Sequence, residues 1–364
     1  MRAPHVRPVV IAAGGTGGHF FPAAALSAAL AARGHRVVLM TDARTGAREQ
    51  QIAQGAFEDR IVLRGAGIAG RGRLRAAGAI VALGLGTIAA RRALTRLNAA
   101  CVIGFGGYPA VPPVLAAHSL GLPCVLHEQN AVLGRANRFL ARRASALALS
   151  FTETARVPDG LRIVVTGNPV RPSVVRAAYV APSDVLRVLV LGGSLGARVL
   201  SNVVPAALAG ITLPAGMDLH VTQQCRAEDL ARVETMYAAC GIDCTLASFF
   251  DDVPARLAAA HLVIARAGAS TVAELAVVGR PAVLVPLPGA IDDHQRANAR
   301  HLGAVCLPEP LTPDRVRACV QDLIDRPDAL PTLAAAVGQA GRPDAAERLA
   351  DLVEATLPVT GTPA

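Results

Sequence analysis

The residues best suited to chemistry lie on glycine-rich turns. Gly14-Gly15-Thr16-Gly17-Gly18-His19 follows the apolar run Val9-Val10-Ile11-Ala12-Ala13, and Gly192-Gly193-Ser194-Leu195-Gly196-Ala197 follows Val188-Leu189-Val190-Leu191. A strand, then glycines, then a helix start aims backbone N–H groups at phosphate oxygens. Two such turns about half a chain apart imply two similar α/β halves, and an enzyme working between a phosphorylated donor and a second, phosphorylated acceptor. A third turn, Gly104-Phe105-Gly106-Gly107-Tyr108-Pro109, follows the strand pattern 100–103. With Thr16, Gly17 and Gly18 it makes a donor-rich patch where a pyrophosphate needs neither lysine nor metal; taken alone it is a tight strand-to-helix turn. His19 sits where the first turn becomes helix. Imidazole titrates near neutral pH, so His19 is a candidate general base, a role worth about 10²–10⁴-fold in rate. The competing reading is a histidine held by local backbone hydrogen bonds.

Three further clusters are polar where an apolar strand ends. His127-Glu128-Gln129-Asn130 follows Cys124-Val125-Leu126, at the carboxyl edge where open α/β sheets bind ligands. Adjacent His and Glu on a strand point to opposite faces, which argues against a shared metal. Arg266-Ala267-Gly268-Ala269-Ser270-Thr271 follows Val263-Ile264, with Glu274 one turn later. Ser270 or Thr271 is expected to cap that helix, whose amino end suits a donor diphosphate. Glu274 is placed to accept from two ribose hydroxyls, or to close a capping box with Thr271. Asp292-Asp293-His294-Gln295 is a polar turn ahead of another helix; an Asp pair suggests a metal, but a helix dipole can replace one electrostatically, and neither metal nor cofactor is expected.

Composition narrows the classes. The 36 basic residues are all Arg, which excludes a Walker A loop and a pyridoxal Schiff base, both of which need lysine. The net charge of +9 favours anionic partners. Aromatics at 3% leave few platforms for stacking bases, so nucleic acid is not the expected partner. Phe20 stands where a dinucleotide fingerprint needs its third glycine, which disfavours a nicotinamide enzyme although Asp42 could mimic the ribose acid. Seven scattered Cys without a Cys-x-x-Cys pair argue against a disulfide framework or zinc knuckle. No signal peptide is read at the amino end.

These turns must be carried by alternating strands and helices. Strand patterns fall at 36–40, 100–103, 123–126, 146–149 and 162–165, then at 187–191, 218–221, 244–247, 262–265 and 282–285. Helical patterns include 22–32, 197–209, 227–239 and 270–278. The rhythm implies βαβ units and two doubly wound, Rossmann-like parallel sheets facing a central cleft. The first domain is assigned to 1–167 and the second to 168–341, with a helical tail over 342–357 returning to the first. The uncharged stretch 76–90 is bracketed by Arg71, Arg73, Arg75 and Arg91, Arg92, Arg96. It is too short to span a bilayer, which takes about 20 residues. It reads either as a buried helix or as one resting on anionic lipid.

Together the motifs resemble the GT-B glycosyltransferase family that completes the lipid-linked precursor of bacterial peptidoglycan. The resemblance runs through GGTGGHFFP at 14–22, GFGGYP at 104–109, HEQN at 127–130, GNPVR at 167–171, GGSLGA at 192–197, FFDDV at 249–253, RAGASTVAE at 266–274 and DDHQRANA at 292–299. It implies inverting transfer of N-acetylglucosamine from UDP-GlcNAc to the muramyl 4-hydroxyl of an undecaprenyl-linked muramyl-pentapeptide acceptor. It further implies peripheral attachment to the anionic cytoplasmic face of the inner membrane through the region near 76–96, contact with cell-wall enzymes, and a bearing on cell shape, cell cycle and division. By the same pattern Thr16, Gly17, Gly18 and Asn130 face the donor sugar, and Arg171 and Ser194 lie near its phosphates. Phe250 holds uracil through its backbone, 269–274 cradles diphosphate and ribose with Ala269, Ser270, Thr271 and Glu274, and His294 and Gln295 meet sugar hydroxyls. His19, Gly106, Gly107, Tyr108, His127 and Glu128 take the acceptor side, with His19 catalytic. Two places depart from the pattern: Leu195 replaces a customary Gln, and Thr222-Gln223-Gln224-Cys225 replaces His-Gln-x-Gly. The rival readings are another GT-B sugar-nucleotide enzyme, such as an epimerase or glycolipid transferase, and a non-catalytic binder that assembles cell-wall enzymes.

Overall fold

A computed structural model describes residues 7–14, 17–42, 55–63, 73–193 and 196–357, the side chains of 73–77 and 79 excepted. Thr16, Ser194 and Leu195 lie outside the described residues, as does Arg71. The chain divides into two units, one comprising residues up to Arg171 together with those from Asp344 onward, the other Pro172–Pro343.

In the first unit the strands are β1 (Val9–Ala12), β2 (Val37–Asp42), β3 (Asp59–Leu63), β4 (Cys101–Gly104), β5 (Cys124–Glu128), β6 (Ala146–Leu149) and β7 (Ile163–Val165). They form a parallel sheet in the order β3-β2-β1-β4-β5-β6-β7. β1, β2, β4, β5 and β6 are buried throughout. Continuous apolar runs are what helices on both faces require. On one face, Phe20, Leu26 and Leu30 of α1 (Gly17–Ala32) share a core with Leu349, Leu352 and Val353 of the carboxyl-terminal helix (Ala345–Glu354). On the other, Leu94 of α2 (Arg73–Leu97) packs with Val111 and Val114 of α3 (Gly107–Ser119). The short α4 (Arg135–Leu140) follows β5.

The carboxyl-terminal helix also carries ion pairs, from Arg33 to Asp351 at 2.6 Å and Glu354 at 2.9 Å, and from His35 to Glu354 at 2.8 Å. The His35 hydrogen bond, with Arg33 beside it, holds the Glu354 carboxyl below the usual carboxylate range. Exposed pairs are worth little, about 0–1 kcal/mol. A buried Leu or Val contributes about 1.5–3 kcal/mol, so the apolar face does most of the holding.

The second unit repeats the scheme with β8 (Val185–Leu191), β9 (Asp218–Gln224), β10 (Asp243–Ala247), β11 (Leu262–Ala265), β12 (Ala282–Leu284) and β13 (Val305–Cys306), in the parallel order β10-β9-β8-β11-β12-β13. Its helices are α5 (Arg198–Ala209), α6 (Leu230–Ala238), α7 (Val253–Ala259), α8 (Ala269–Val278), α9 (His294–Leu302), α10 (Pro313–Asp325) and α11 (Ala329–Gln339), so the carboxyl-terminal helix of the first unit is α12.

Each sheet reverses its strand order once, between β1 and β4 and between β8 and β11. Ligands bind at such switch points. The register brings the glycine turns together there. Ala12 pairs with Gly104 and Phe105 N donates to the Ala12 carbonyl at 3.0 Å, so the first and third turns leave the sheet side by side. Likewise Leu191 pairs with Ala265 and Arg266 N donates to the Leu191 carbonyl at 3.3 Å, which sets the Gly192 turn beside Arg266–Gly268.

Several expectations change. The first helix begins at Gly17, not Pro22, so Gly17 and Gly18 are helical and Pro22 lies inside α1. Only the first four N–H groups of a helix lack an internal partner, so this proline forgoes one internal bond. The helical pattern at 227–239 divides into a short 3₁₀ turn, Ala227–Asp229, and α6. The edge strands β3 and β13 add to the predicted set. The apolar stretch 76–90 is the middle of the 25-residue α2, and among the described residues no helix is long and apolar enough to cross a membrane. Cys101 and Cys124 are buried, and burial pushes both thiols up to about 12; they pack as small core side chains.

Candidate active site

In the first unit, His19 is the third residue of α1 and is partly exposed. Its Nδ1 lies 2.9 Å from Gln129 Oε1. Gln129 Nε2 lies 2.9 Å from His127 Nδ1 and donates to the His127 carbonyl at 3.1 Å. His127 is fully buried, with Nε2 3.0 Å from the Gly167 carbonyl. Burial pushes its pKa down to about 4, so it stays neutral at physiological pH. Phe105 packs against the ring, with centroids 5.2 Å apart. Gly107 has φ +67, and a Cβ built there would meet His19 Nε2 and Cδ2 at 3.4 Å. A side chain there would rest against that edge of the imidazole, and the positive φ favours glycine.

Glu128 turns the other way, as strand alternation requires. One carboxylate oxygen accepts from the Asn130 backbone and side-chain amides, each at 3.1 Å. The other accepts from Gly134 N at 2.8 Å and Asn137 Nδ2 at 2.9 Å. Gly134 is the N-cap of α4, so this carboxylate anchors that helix and holds Asn130 in place. Gly106, with φ +80, is the N-cap of α3, and a Cβ there would meet Asn137 Nδ2 at 3.3 Å. Asn137 Oδ1 is buried with no hydrogen-bond partner among the described residues. Tyr108 stands partly exposed in the first turn of α3. The Arg171 guanidinium lies 5.3 Å from the centre of the Phe21 ring, within the first unit.

In the second unit, Gly192 is tightly constrained: a Cβ there would collide with the Ala197 backbone nitrogen. The turn closes with Gly196 N donating to the Gly193 carbonyl at 3.0 Å. Neither Ser270 nor Thr271 caps α8, contrary to expectation. Gly268 is the N-cap, in extended conformation and with no side-chain cap. Ser270 and Thr271 therefore lie inside the first turn, and the Thr271–Glu274 capping box does not form. Ser270 Oγ is buried with no hydrogen-bond partner among the described residues. A Cβ at Gly268 would meet nothing within 4 Å. Gly268 thus supplies no side-chain cap to the α8 amino end, and Glu274, 8% exposed, lies one turn on.

The surroundings of that helix end are braced. Arg266 Nη1 donates to the carbonyls of Val285 and Pro286 at 3.1 Å each and pairs with Glu309 at 2.8 Å. Asn298 Nδ2 donates to the Ala267 carbonyl at 3.1 Å. Gln295 Oε1 accepts from Leu287 N at 2.9 Å. His294 Nδ1 donates to the Ile291 carbonyl at 2.8 Å, which leaves Nε2 as an acceptor. Phe250 is buried, with the Arg256 guanidinium 4.1 Å from its ring centre. Among the described residues no group of three or more His, Cys, Asp or Glu is placed to hold a metal. The departure at 222–225 leaves Gln223 as an internal strut: its Oε1 accepts from Tyr237 Oη at 2.6 Å.

Sequence reasoning gave no role to Gln129, Asn137, Gly167 or Asn298. Gln129 had the clearest signal, since it shares a strand face with His127 by the period of two.

Known proteins match along nearly the whole chain. Residues 9–149 match the glycosyltransferase family 28 N-terminal domain and residues 187–349 its C-terminal domain. A Granulibacter bethesdensis relative is 56% identical over 98% of this chain and 96% of its own. The chain belongs to glycosyltransferase family 28. That relative is named UDP-N-acetylglucosamine–N-acetylmuramyl-(pentapeptide) pyrophosphoryl-undecaprenol N-acetylglucosamine transferase, as is a Methylobacterium relative 53% identical over 96% of both chains. The crystal structure of Acinetobacter baumannii MurG is 30% identical and superposes with a TM-score of 0.78, covering 96% of this chain and 99% of that one. This family 28 member is thus a glycosyltransferase with the two Rossmann-like domains of the GT-B fold.

Proposed function

We propose that this glycosyltransferase moves N-acetylglucosamine from UDP-GlcNAc to the muramyl 4-hydroxyl of undecaprenyl-pyrophosphoryl-MurNAc-pentapeptide, inverting the anomeric centre. The observation that carries this reading is the α8 amino end, which starts at Gly268 without a side-chain cap from that residue, with Glu274 one turn beyond it, an arrangement suited to a nucleoside diphosphate. The names of the family 28 relatives supply the acceptor.

The reaction is a single displacement. The acceptor oxygen forms a bond to the anomeric carbon as the bond from that carbon to the diphosphate breaks. His19 takes the hydroxyl proton, and UDP leaves with the bonding pair. The charge that develops on the diphosphate is met by the amides of Ala269, Ser270 and Thr271, with Arg171 as a second positive group. Fixed dipoles aimed at developing charge often contribute more to catalysis than any other effect. Gly106, Gly107 and Tyr108 belong to the acceptor side, as does His127. Glu128 acts there as the anchor of Asn130 and α4. Thr16, Gly17, Gly18 and Asn130 are assigned to the donor sugar, together with His294 and Gln295. Ser194 is assigned to its phosphates and the Phe250 backbone to uracil.

A lipid-linked acceptor supports work at the cytoplasmic face of the inner membrane, and α2 suits such a surface. Ile80, Val81, Leu85 and Ile88 are 50–72% exposed along one side of the helix, with Arg91 and Arg92 exposed in the turn that follows them. Each apolar side chain contributes about 1.5–3 kcal/mol when fully buried, and each Arg near anionic lipid about 1 kcal/mol. That is enough for reversible attachment. One experiment tests substrate and surface together: radiolabelled UDP-GlcNAc is incubated with the enzyme and acceptor-loaded anionic vesicles. The expected result is label in the lipid fraction through a β-linkage, and protein that sediments with the vesicles at low salt. Label that stays in UDP-GlcNAc or water-soluble sugar contradicts the transfer, and protein left in the supernatant contradicts the surface.

A further inference from the structure

The chain of contacts behind His19 runs in one direction, and its direction is fixed by groups that cannot reverse. Gln129 is 1% exposed, so its amide has only protein partners. One side of that amide faces the His127 backbone carbonyl at 3.1 Å. A carbonyl oxygen only accepts, so the amide nitrogen must lie there. The amide oxygen is then the atom 2.9 Å from His19 Nδ1. Being an acceptor too, it requires the proton on His19 Nδ1.

His127 reinforces the same order from behind. Its Nε2 faces the Gly167 carbonyl at 3.0 Å and must carry the proton, which leaves Nδ1 bare to accept the second Gln129 Nε2–H at 2.9 Å. The Gly167 carbonyl also accepts from Thr166 Oγ1 at 3.0 Å, and Gly167 N donates to the Leu149 carbonyl at 3.2 Å at the end of β6. Every donor from His19 to Gly167 thus points away from His19. Turning the Gln129 amide over would set its oxygen against both the His127 carbonyl and the bare His127 Nδ1. An unmet buried polar group costs about 1–3 kcal/mol, so one orientation holds.

We infer that Gln129, backed by His127 and the Gly167 carbonyl, is a positioning residue that holds His19 as the Nδ1–H tautomer and so presents Nε2 as the proton-accepting atom. The inference deepens the reading of His19 as the base and rests on it. It differs from the histidine–carboxylate pairing of hydrolase triads because the orienting group is neutral. Glu128, the neighbouring carboxylate, spends both oxygens on Asn130, Gly134 and Asn137. When His19 becomes imidazolium, its Nδ1–H bond to Gln129 strengthens and the chain behind it polarises. The geometry at Gly107 completes the arrangement, since the missing side chain keeps the Nε2 edge open.

The test is the ¹⁵N spectrum of the His19 imidazole in the full-length enzyme, alongside turnover. In the wild type the expected spectrum has a protonated Nδ1 and a bare Nε2. In Gln129→Leu it shows the proton moved toward Nε2, the form favoured in water. The kcat of that variant falls about 10²-fold while UDP-GlcNAc affinity is unchanged. Gln129→Glu still offers His19 an acceptor and, protonated on the oxygen that faces His127 Nδ1, donates there as the amide did, so it keeps the Nδ1 proton of His19 and turns over at least about 10-fold faster than Gln129→Leu. A wild-type spectrum with bare Nδ1 overturns the inference even if the variants do not fold. So does a Gln129→Leu enzyme with unchanged tautomer and kcat. The spectrum requires no acceptor, so its outcome is independent of the transfer assay.

Discussion

His19→Ala lowers kcat for sugar transfer by about 10²-fold or more and leaves the Kd for UDP-GlcNAc unchanged. The split follows from where the residue stands. His19 belongs to the first unit, on the turn of α1 that leaves β1, while the diphosphate site assigned to the donor is the α8 amino end in the second unit. The hydroxyl of a sugar is a weak nucleophile until its proton has somewhere to go, and an imidazole near neutral pH supplies that place. Removing it takes away an interaction made in the transition state, so kcat and kcat/KM fall together. The fold should persist, because His19 is only partly buried and its side chain bonds to Gln129 rather than to the core. Steady-state kinetics with titration calorimetry checks the prediction. A variant with near-normal kcat removes His19 from the mechanism.

The second large effect is at the other end of the donor. Glu274→Ala weakens UDP binding about 10²-fold or more. Glu274 lies five residues beyond Ala269 on α8, about 7.5 Å along the axis at 1.5 Å per residue. That matches the step from a diphosphate to the ribose hydroxyls. Each hydrogen bond to a charged acceptor is worth about 1.5–3 kcal/mol, and about 1.4 kcal/mol is a factor of ten. Two such bonds place the loss at two powers of ten or above. Glu274→Gln, which keeps the acceptor oxygen without the charge, falls between the two. Calorimetric titration with UDP reads this directly, and an unchanged Kd for Glu274→Ala refutes the ribose contact.

The sequence exposed the parts of the site that come from strong local constraints. Glycines after apolar strands marked the switch points of both sheets, because few other residues tolerate the φ angles and close approaches found at Gly106, Gly107 and Gly192. Strand cores such as Ala146–Leu149 and Leu262–Ala265 were legible as short apolar runs bounded by turns. What escaped was set by tertiary contact. Nothing local says that Gly268 rather than Ser270 ends the α8 turn, since serine is the better cap in isolation and the loop beneath is fixed by Asn298 from another helix. The polar run 127–130 was visible as a cleft signal, but its division of labour was not. Only the folded sheet brings Gly167 to His127, and Gln129 to His19, across 110 residues of sequence. The edge strand Val305–Cys306 is two residues long, too short for any periodicity to show.

The proposed mechanism rests on backbone dipoles in place of lysines or cations, and a structure with UDP bound tests that most directly. The predicted result is a β-phosphate within hydrogen-bond distance of the N–H groups of Ala269, Ser270 and Thr271, with the ribose hydroxyls on Glu274 and no metal bridging the phosphates. A diphosphate bound away from the α8 amino end, or held there through a cation, contradicts it.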